Sequence, residues 1–487
     1  MAKNSSRQRH EKKSKTGTII NTTLLILYTG LVGALMYLIV AKQFLHFRQL
    51  HVIVPIVLLL VWLLALIAIL KKKVKVLTAV CLVLFLLGVT GLIFTYKSAA
   101  DLTQKFNSTA SYSEIEMSVV VAKDSTVNNL SELSEVQSPL ASDRDNIEAL
   151  LGKARLEKNV NLTPVETASY QSAYETIMAD KSKAMVLNSA YSSLLELNDA
   201  DYVSKIKTLY TYKISKKVSV KKSSDKQKDP NVFNIYISGI DTYGSISTVS
   251  RSDVNIIMTV NMDTHKVLLT TTPRDSYVKI PDGGGNQYDK LTHAGVYGVE
   301  TSMKTLENLY GIDIDYYARI NFTSFMKLID AVGGVEVNNP TVFTAGGQTF
   351  EAGTIQLDSA SALRFVRERY SLAGGDHDRG RNQERVIAAL IKKLASFQSL
   401  TNISDVVTSL QDSVQTNMSL DSMMTIANAQ LSSGGQFAVT SQDVTGTGST
   451  GELSSYAMPG YALYMLSLDQ ASVDTAKAAI NSTMEGK

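Results

Sequence analysis

Three uninterrupted apolar runs open the chain. Leu24 to Ala41, Val52 to Leu70 and Val76 to Tyr96 contain no charged side chain. An α-helix needs about 20 such residues to cross a hydrocarbon core of about 30 Å. A charge at the centre of such a helix costs about 2.5–3.5 kcal/mol, which explains why these runs avoid it. Three membrane spans are therefore expected, with everything from residue 1 to residue 97 forming a tail and anchor.

Beyond Lys97 the pattern shortens. Glu114 to Ala122 is rich in β-branched residues and predicts a strand. Asp143 to Leu156, Thr167 to Met185 and Tyr202 to Tyr212 carry apolar residues at helical spacing. Residues 98–228 thus read as a small α+β accessory domain. It ends in a polar, lysine-rich run from Lys216 to Pro230 that has the composition of a linker.

From Asn231 onward, Val232 to Ile240, Val254 to Val260 and Lys266 to Thr272 predict strands. Glu300 to Tyr310 and Phe322 to Val332 predict helices. Leu363 to Arg369 predicts another strand, followed by helices at Arg381 to Phe397, Ile403 to Gln411, Leu420 to Leu431 and Tyr461 to Met484. Strands mixed with helices at these spacings indicate a three-layer α/β (α-β-α) domain over residues 229–487.

Charge sets the expected orientation. Lys3, Arg7, Arg9, Lys12, Lys13 and Lys15 precede the first span, and Lys71, Lys72, Lys73 and Lys75 separate the second from the third. Only Lys42 and Arg48 lie between the first two. The positive-inside bias puts the tail and the second loop in the cytoplasm, and three crossings then place the C-terminal part outside the cell membrane. The net charge of +3 adds little, because much of the excess sits in that tail. Cys81, the single cysteine, falls inside the third run, so the exterior cannot rely on disulfides. That absence suits a bacterial surface without an oxidising periplasm.

Several kinds of chemistry lack support. The sequence has no Walker A loop, no G-x-G-x-x-G, no G-x-S-x-G and no H-E-x-x-H, and its six histidines do not pair at zinc-ligand spacing. Gly283 to Gly285 reads as a hairpin turn. Arginine is more informative. Arg367 and Arg369 are two apart, and on a strand they share one face. Arg379 and Arg381 follow in what reads as a loop, and Arg274 ends a strand in Thr272-Pro-Arg274-Asp275. Guanidinium groups about 4 Å apart repel by about 4 kcal/mol at an effective dielectric of 20, and they cannot escape by deprotonating. If they meet, they need a multivalent anion such as phosphate; otherwise they pair with Glu368, Asp378 and Glu384 on the surface. Asp241 and Asp253 at adjoining strand ends either cap turns or hold a hard cation, since Mg²⁺ takes one or two carboxylates plus phosphate oxygens.

These segments resemble the LytR-CpsA-Psr (LCP) family. The resemblance rests on Ser-Gly-Ile-Asp241, Arg251-Ser-Asp253, Pro273-Arg274-Asp275 and Lys290-Leu-Thr-His-Ala-Gly295. It continues through Val332-Gly-Gly-Val335, Arg367-x-Arg369 and Asp378-Arg379-Gly-Arg381-Asn-Gln383. It spans about Asn231 to Leu394, and the three-span anchor is similar to that of the family's streptococcal capsule-operon members. Many relatives have Arg-Gln directly after the Gln383 position, whereas this chain has Glu384-Arg385, which leaves the role of Arg385 open.

The resemblance implies transfer of a capsular or wall glycopolymer from a polyprenyl-pyrophosphate carrier onto peptidoglycan. It also implies that Asp241 and Asp253 bind Mg²⁺, with Mn²⁺ as a substitute, and that Arg274, Arg367, Arg369 and Arg379 grip the pyrophosphate. Arg251, Asp275, Lys290, Arg381 and Gln383 are the further substrate-binding residues. Asp376 and Asp378 are general-base candidates by position in the sequence, Asp378 being grouped with the catalytic residues. Phe322, Phe325, Met326 and Ile329 either line a groove for the lipid tail or pack in the core. Capsule-assembly membrane proteins are expected partners and nucleic acid is not, since a cytoplasmic tail of this length has no room for a helix-turn-helix. Two other readings stay open: a membrane sensor that regulates capsule synthesis, and a lipid-pyrophosphate hydrolase.

Overall fold

The apolar runs become three helices in the computed structural model, which describes residues 2–110, 112–217, 231–240, 246–395, 414–433 and 435–487. The lysine-rich run after Lys217, Asp241 and the helix expected at Ile403 to Gln411 lie outside the described residues. Helices α1 (Ala2–Ala41), α2 (Leu50–Leu70) and α3 (Lys75–Ala110) contain stretches long and apolar enough to cross a membrane, at Thr16–Ala41, Leu50–Leu70 and Lys75–Asp101. Leu27, Leu59, Leu64 and Leu84 stay exposed along them, as expected where lipid rather than protein covers the surface. Polar side chains tie the helices together. The Tyr28 hydroxyl donates to the Leu58 carbonyl at 3.0 Å, the Trp62 indole to Thr29 at 2.9 Å, and the Asn21 amide to the Lys75 carbonyl at 2.9 Å. The helix Leu420–Ser433 belongs to the same compact unit, and its Asn428 donates to the Gln43 carbonyl at 2.9 Å.

A five-stranded sheet follows, made of β1 (Tyr112–Ala122), β2 (Glu135–Ser138), β3 (Thr163–Glu166), β4 (Ala184–Asn188) and β5 (Ile206–Lys217), in the order β3-β2-β4-β1-β5. Helices α4 (Leu140–Lys158), α5 (Tyr170–Ala179) and α6 (Ser192–Asn198) accompany it. Two expectations fail here. Tyr202 to Tyr212 is not an α-helix: after one 3₁₀ turn at Tyr202–Lys205 it is the start of β5, which pairs antiparallel with the whole of β1. Tyr210 and Ile214 are buried on that strand. Thr167 to Met185 divides into α5 and β4, where the Asp180 carboxylate accepts the Ser182 amide at 3.1 Å and turns the chain. The hydrophobic core of this sheet continues onto Val249, Val296, Ala457 and Met458.

The next sheet has six strands. β6 (Val232–Ile240), β7 (Ser252–Asn261) and β8 (Lys266–Thr271) form an antiparallel meander. A hairpin, β9 (Tyr277–Ile280) and β10 (Gln287–Lys290), turns through the 3₁₀ segment Asp282–Gly284 and Gly285 in the left-handed region. β11 (Tyr316–Ile320) adds parallel to β6. After the small strands β12 (Val335–Asn339), β13 (Phe343–Ala345), β14 (Gln348–Phe350) and β15 (Gly353–Leu357), β16 (Val414–Thr416) and β17 (Ala438–Asp443) close the edges, giving β16-β11-β6-β7-β8-β17. β18 (Gly446–Thr450) pairs with β19 (Tyr464–Leu468) outside that sheet.

Helices cover both faces of the large sheet. On one, α7 (Val299–Tyr310) and the helix Gln470–Met484 pack Leu306, Val473 and Ile480 onto Tyr236, Ile257 and Leu268. On the other, α8 (Phe322–Ala331), α9 (Ser359–Arg367) and α10 (Asp376–Ala395) share a core with β12 to β15 through Ile329, Phe365, Val386 and Leu390. The domain is the expected three-layer α/β type, but three local assignments differ. Leu363 to Arg367 is the end of α9, not a strand, and the extended Glu368 and then Arg369 follow it. Asp358 caps that helix by accepting the Ser361 amide at 2.8 Å, and Ala362, Phe365 and Val366 recur at helical spacing toward the core. Arg379 and Arg381 are in the first turns of α10 rather than in a loop, where Asp376 and Asp378 favour a helix N-terminus. Tyr461 to Met484 contains β19 as well as the final helix, which starts at the Asp469 cap.

Candidate functional site

The C-terminal end of β6, the start of β7 and the segment just after β8 meet at one end of the large sheet, because the meander brings Gly239 opposite Val254 and Asn255 opposite Thr272. That junction places Arg251, Asp253 and Arg274 together. Arg274 Nη1 donates to Asp253 Oδ2 at 2.8 Å, and Thr292 Oγ1 donates to Asp253 Oδ1 at 2.9 Å. Arg274 is buried, as are Arg251, Asp275, Lys290, Arg379 and Gln383. The end of α9 and the first turns of α10 bring the remaining groups. A cavity of about 270 Å³ is lined by Arg251, Asp253, Arg274, Arg367, Arg369, Arg379 and Gln383 together with Phe322, Phe325 and Tyr370.

The electrostatics of this cavity follow from its charge count. Burial alone raises the Asp253 pKa, but Arg274, Arg251 and Arg379 more than offset it and hold the carboxyl at about 2. Burial likewise works against ionisation of Asp275. Lys290, with its ammonium 2.5 Å away, and Arg274 bring its pKa below the usual carboxylate range. Arg379 is depressed chiefly by burial, and Asp376, to which it is ion-paired, counters this. Arg367 lies over the Phe322 ring, 4.2 Å from its centroid, and Arg369 stacks 4.6 Å from the centre of Tyr370. Gln383 donates to the Val366 carbonyl at 3.2 Å, which ties α10 to α9. Five guanidinium groups around one ionised carboxylate make a pocket for a multivalent anion, and planar forks match phosphate oxygens in pairs.

The predicted residues separate into three groups. Arg251, Asp253, Arg274, Arg367, Arg369, Arg379 and Gln383 share the cavity. Asp275 and Lys290 form an ion pair in an adjoining cavity of about 670 Å³, which Arg274, Arg369 and Asp376 also line. Asp378 and Arg381 face elsewhere: Asp378 accepts the Gly374 amide at 2.8 Å, and Arg381 reaches Asp378 at 3.2 Å and Asp443 at 3.3 Å. Asp241 lies outside the described residues. Among the described residues no group of three or more His, Cys, Asp or Glu side chains could hold a metal. One ionised hard-oxygen donor, Asp253, is present, and a Mg²⁺ ion that draws its other oxygens from phosphate and water requires only one or two.

Of the apolar residues considered for a lipid groove, Phe322 and Phe325 line the cavity, while Ile329 is fully buried in the core beneath. Tyr370 and Thr292 escaped sequence reasoning. Thr292 falls within the Lys-Leu-Thr-His segment and was within reach; Tyr370 directly follows Arg369, but nothing in its surroundings marks it.

The LytR_cpsA_psr family model matches residues 196–479. A second model, described as DNA polymerase processivity factor, matches residues 71–187, a minority of the chain that begins beside the third apolar helix. The chain is 35% identical over 230 residues to the polyisoprenyl-teichoic acid–peptidoglycan teichoic acid transferase TagU of Oceanobacillus iheyensis, covering 46% of this chain and 70% of that one. It is 39% identical over 224 residues to the TagU of Enterococcus faecalis, covering 45% and 71%. The crystal structure of B. subtilis TagU aligns with 27% identity and a TM-score of 0.42, covering 53% of this chain and 98% of that one.

Proposed function

Because the chain belongs to the LytR-CpsA-Psr family, we propose that it is a phosphotransferase that moves a capsular or wall glycopolymer from a polyprenyl-pyrophosphate carrier onto peptidoglycan. The observation that carries this reading is the cavity in which five arginines surround Asp253 beside Phe322 and Phe325. A pyrophosphate ester neutralises the arginines, and the first isoprene units cover the two rings.

Phosphoryl transfer depends mainly on positioning and on neutralising charge as it builds on the phosphate oxygens. Arg274 and Arg379 are buried and held by Asp253 and Asp376, so they meet the substrate without rearranging. Arg367 and Arg369 are each stacked on an aromatic face, Phe322 and Tyr370, which holds their guanidinium planes at the cavity. Asp253, with Asp241, would hold Mg²⁺, which supplies further neutralisation of the pyrophosphate when bound. An attacking sugar hydroxyl displaces polyprenyl phosphate and leaves a phosphodiester to the wall. Asp376 lines the adjoining cavity with Arg274 and is the better placed of the two candidate bases, since Asp378 is turned toward Arg381.

The membrane anchor suits a lipid-linked donor. The placement of the C-terminal part outside the cell is supported by the charge bias and by the Asn428 contact with the loop between α1 and α2, which carries few positive charges.

The test is reconstitution of the full chain in lipid nanodiscs with a polyprenyl-pyrophosphate disaccharide, peptidoglycan oligosaccharides and Mg²⁺, followed by mass spectrometry. A sugar–phosphate–glycan product that disappears in Arg274→Ala and Asp253→Ala supports the transferase. Free sugar phosphate alone indicates a hydrolase, and binding without turnover indicates a sensor.

A further inference from the structure

The donor cavity accounts for one substrate, but the reaction joins two. In an in-line displacement at phosphorus, the attacking and leaving oxygens lie on opposite sides of the transferred group. If the lipid phosphate leaves on the Phe322 and Phe325 side, the hydroxyl must enter from the other side of the arginines.

A second opening adjoins the donor cavity at the arginines and takes in neither Phe322 nor Phe325. The cavity of about 670 Å³ shares Arg274, Arg369 and Tyr370 with the donor cavity, both draw on the start of α10, and their remaining walls come from different elements. The donor cavity is built on β6, β7, the end of β11 and α8. The larger one is built on the segment beyond β8, on β19 and on Asn198 at the end of α6. The shared residues therefore form a partition between the two.

The lining of the larger cavity suits a saccharide. Tyr370 is 85% exposed and Tyr464 is 47% exposed, so two of the large side chains that the fold leaves open to solvent face this one space. Their rings match the C–H faces of a pyranose. The Asp275 and Lys290 pair, Asp376 and Asn198 supply hydrogen-bonding groups of both kinds, and the volume is in the range that ligand sites use. Partial desolvation of Tyr464, with Asp275 and Asp376 nearby, raises its pKa, so its ring face adds no negative charge to the cavity. The lining mixes both signs, with Asp275 and Asp376 beside Lys290, Arg274 and Arg369, so it offers donors and acceptors to the hydroxyls of a glycan.

We propose that this cavity is the acceptor subsite, which takes a peptidoglycan-type oligosaccharide and presents its free hydroxyl through the partition of Arg274, Arg369 and Tyr370. The inference rests on the transferase reading given above. The hydroxyl oxygen bonds to the sugar-proximal phosphorus, and the bond from that phosphorus to the bridging oxygen breaks. The electron pair stays with the departing polyprenyl phosphate, and the hydroxyl proton passes to the Asp376 carboxylate.

The full chain in nanodiscs, with a polyprenyl-pyrophosphate disaccharide and a peptidoglycan tetrasaccharide, tests this. Tyr464→Ala should raise the acceptor KM at least tenfold and lower the ratio of linked product to free sugar phosphate in step. Asn198→Ala should shift both in the same direction by a smaller factor. Tyr464→Phe, which keeps the ring, should restore the acceptor KM to within about threefold of wild type. Calorimetric titration of the tetrasaccharide alone should show binding to wild type that weakens at least tenfold in Tyr464→Ala. An acceptor KM within twofold of wild type in Tyr464→Ala, or a donor KM that rises as far as the acceptor KM, overturns the subsite. Wild-type protein that binds tetrasaccharide in a Tyr464-dependent way but never cleaves the donor overturns the transferase reading and leaves the glycan site standing.

Discussion

Arg274 and Asp253 meet through a 2.8 Å hydrogen bond at the floor of the cavity, and both side chains are almost wholly buried. Removing one partner of a buried pair usually costs about 3–5 kcal/mol, because the other is left buried and charged. Here the loss should be smaller. Arg251 and Arg379 still face Asp253, and the repulsion between Arg274 and Arg379 disappears with the mutation. Arg274→Ala should therefore lower transfer by about 10³–10⁵, the range seen for one arginine acting on transition-state charge, with only a few degrees lost in melting temperature. A collapse of thermal stability matching the loss of activity would show that Arg274 holds the fold and not the phosphate.

Crowded arginines also predict a response to free anions. Wild-type protein should melt at a higher temperature with inorganic pyrophosphate than with chloride at equal ionic strength. A ligand at 100 times its Kd adds about 2.7 kcal/mol. Phe322→Leu removes the ring under Arg367, and a cation–π contact is worth about 0.5–2 kcal/mol. Pyrophosphate affinity should then fall by a factor of about 2–30. An unchanged thermal shift in Phe322→Leu would mean that the ring does not position Arg367.

The extent to which sequence foresaw this arrangement depends on the distance over which each signal acts. The spans, the meander β6 to β8 and helices α7 and α8 are local patterns, and each was legible. Leu363 to Arg369 was not, because a short apolar run fits either period, and what decides it is the Asp358 cap and the core that receives Phe365. The arginines were legible as residue types but their meeting was not. Arg274 and Arg379 are far apart in sequence, and they converge only because the ends of β8 and α9 and the start of α10 reach the same end of the sheet. The reasoning that put Arg367 and Arg369 on one strand face reached the right cavity through the wrong element. Of the second cavity, Asp275, Lys290 and Asp376 were flagged as residues, but Asn198 and Tyr464 were not, and nothing local says that these separate segments enclose one space.

Glu384 gives a stability prediction independent of activity. Burial, partly offset by the hydroxyl of Thr271 donating at 2.6 Å, pushes its carboxyl from 4.5 up to about 7. A carboxyl whose pKa rises on folding holds its proton more tightly in the folded state. Stability should therefore fall as pH climbs from about 4.5 to about 7, then level off with the charge buried. Glu384→Gln keeps an oxygen for Thr271 and removes the ionisation. It should stabilise the protein by up to about 3 kcal/mol at pH 8 and hardly at all at pH 4. Denaturation at both pH values decides this, and equal effects at the two would mean that Glu384 is not protonated on folding.

The orientation of the anchor can be read with single cysteines. Cys81 is the only native thiol, so Cys81→Ser gives a clean background. With few positive charges between α1 and α2, His46→Cys in that loop should react with a membrane-impermeant maleimide on intact cells. Lys73→Cys, within the lysine run between α2 and α3, should react only after lysis. Lys487→Cys at the end of the chain should follow His46→Cys, because an odd number of crossings separates it from the cytoplasmic tail. Labelling of Lys73→Cys but not Lys487→Cys on intact cells would invert the topology and place the arginine cavity in the cytoplasm. Polymer attachment to the wall would then be impossible for this chain, whatever its chemistry in vitro.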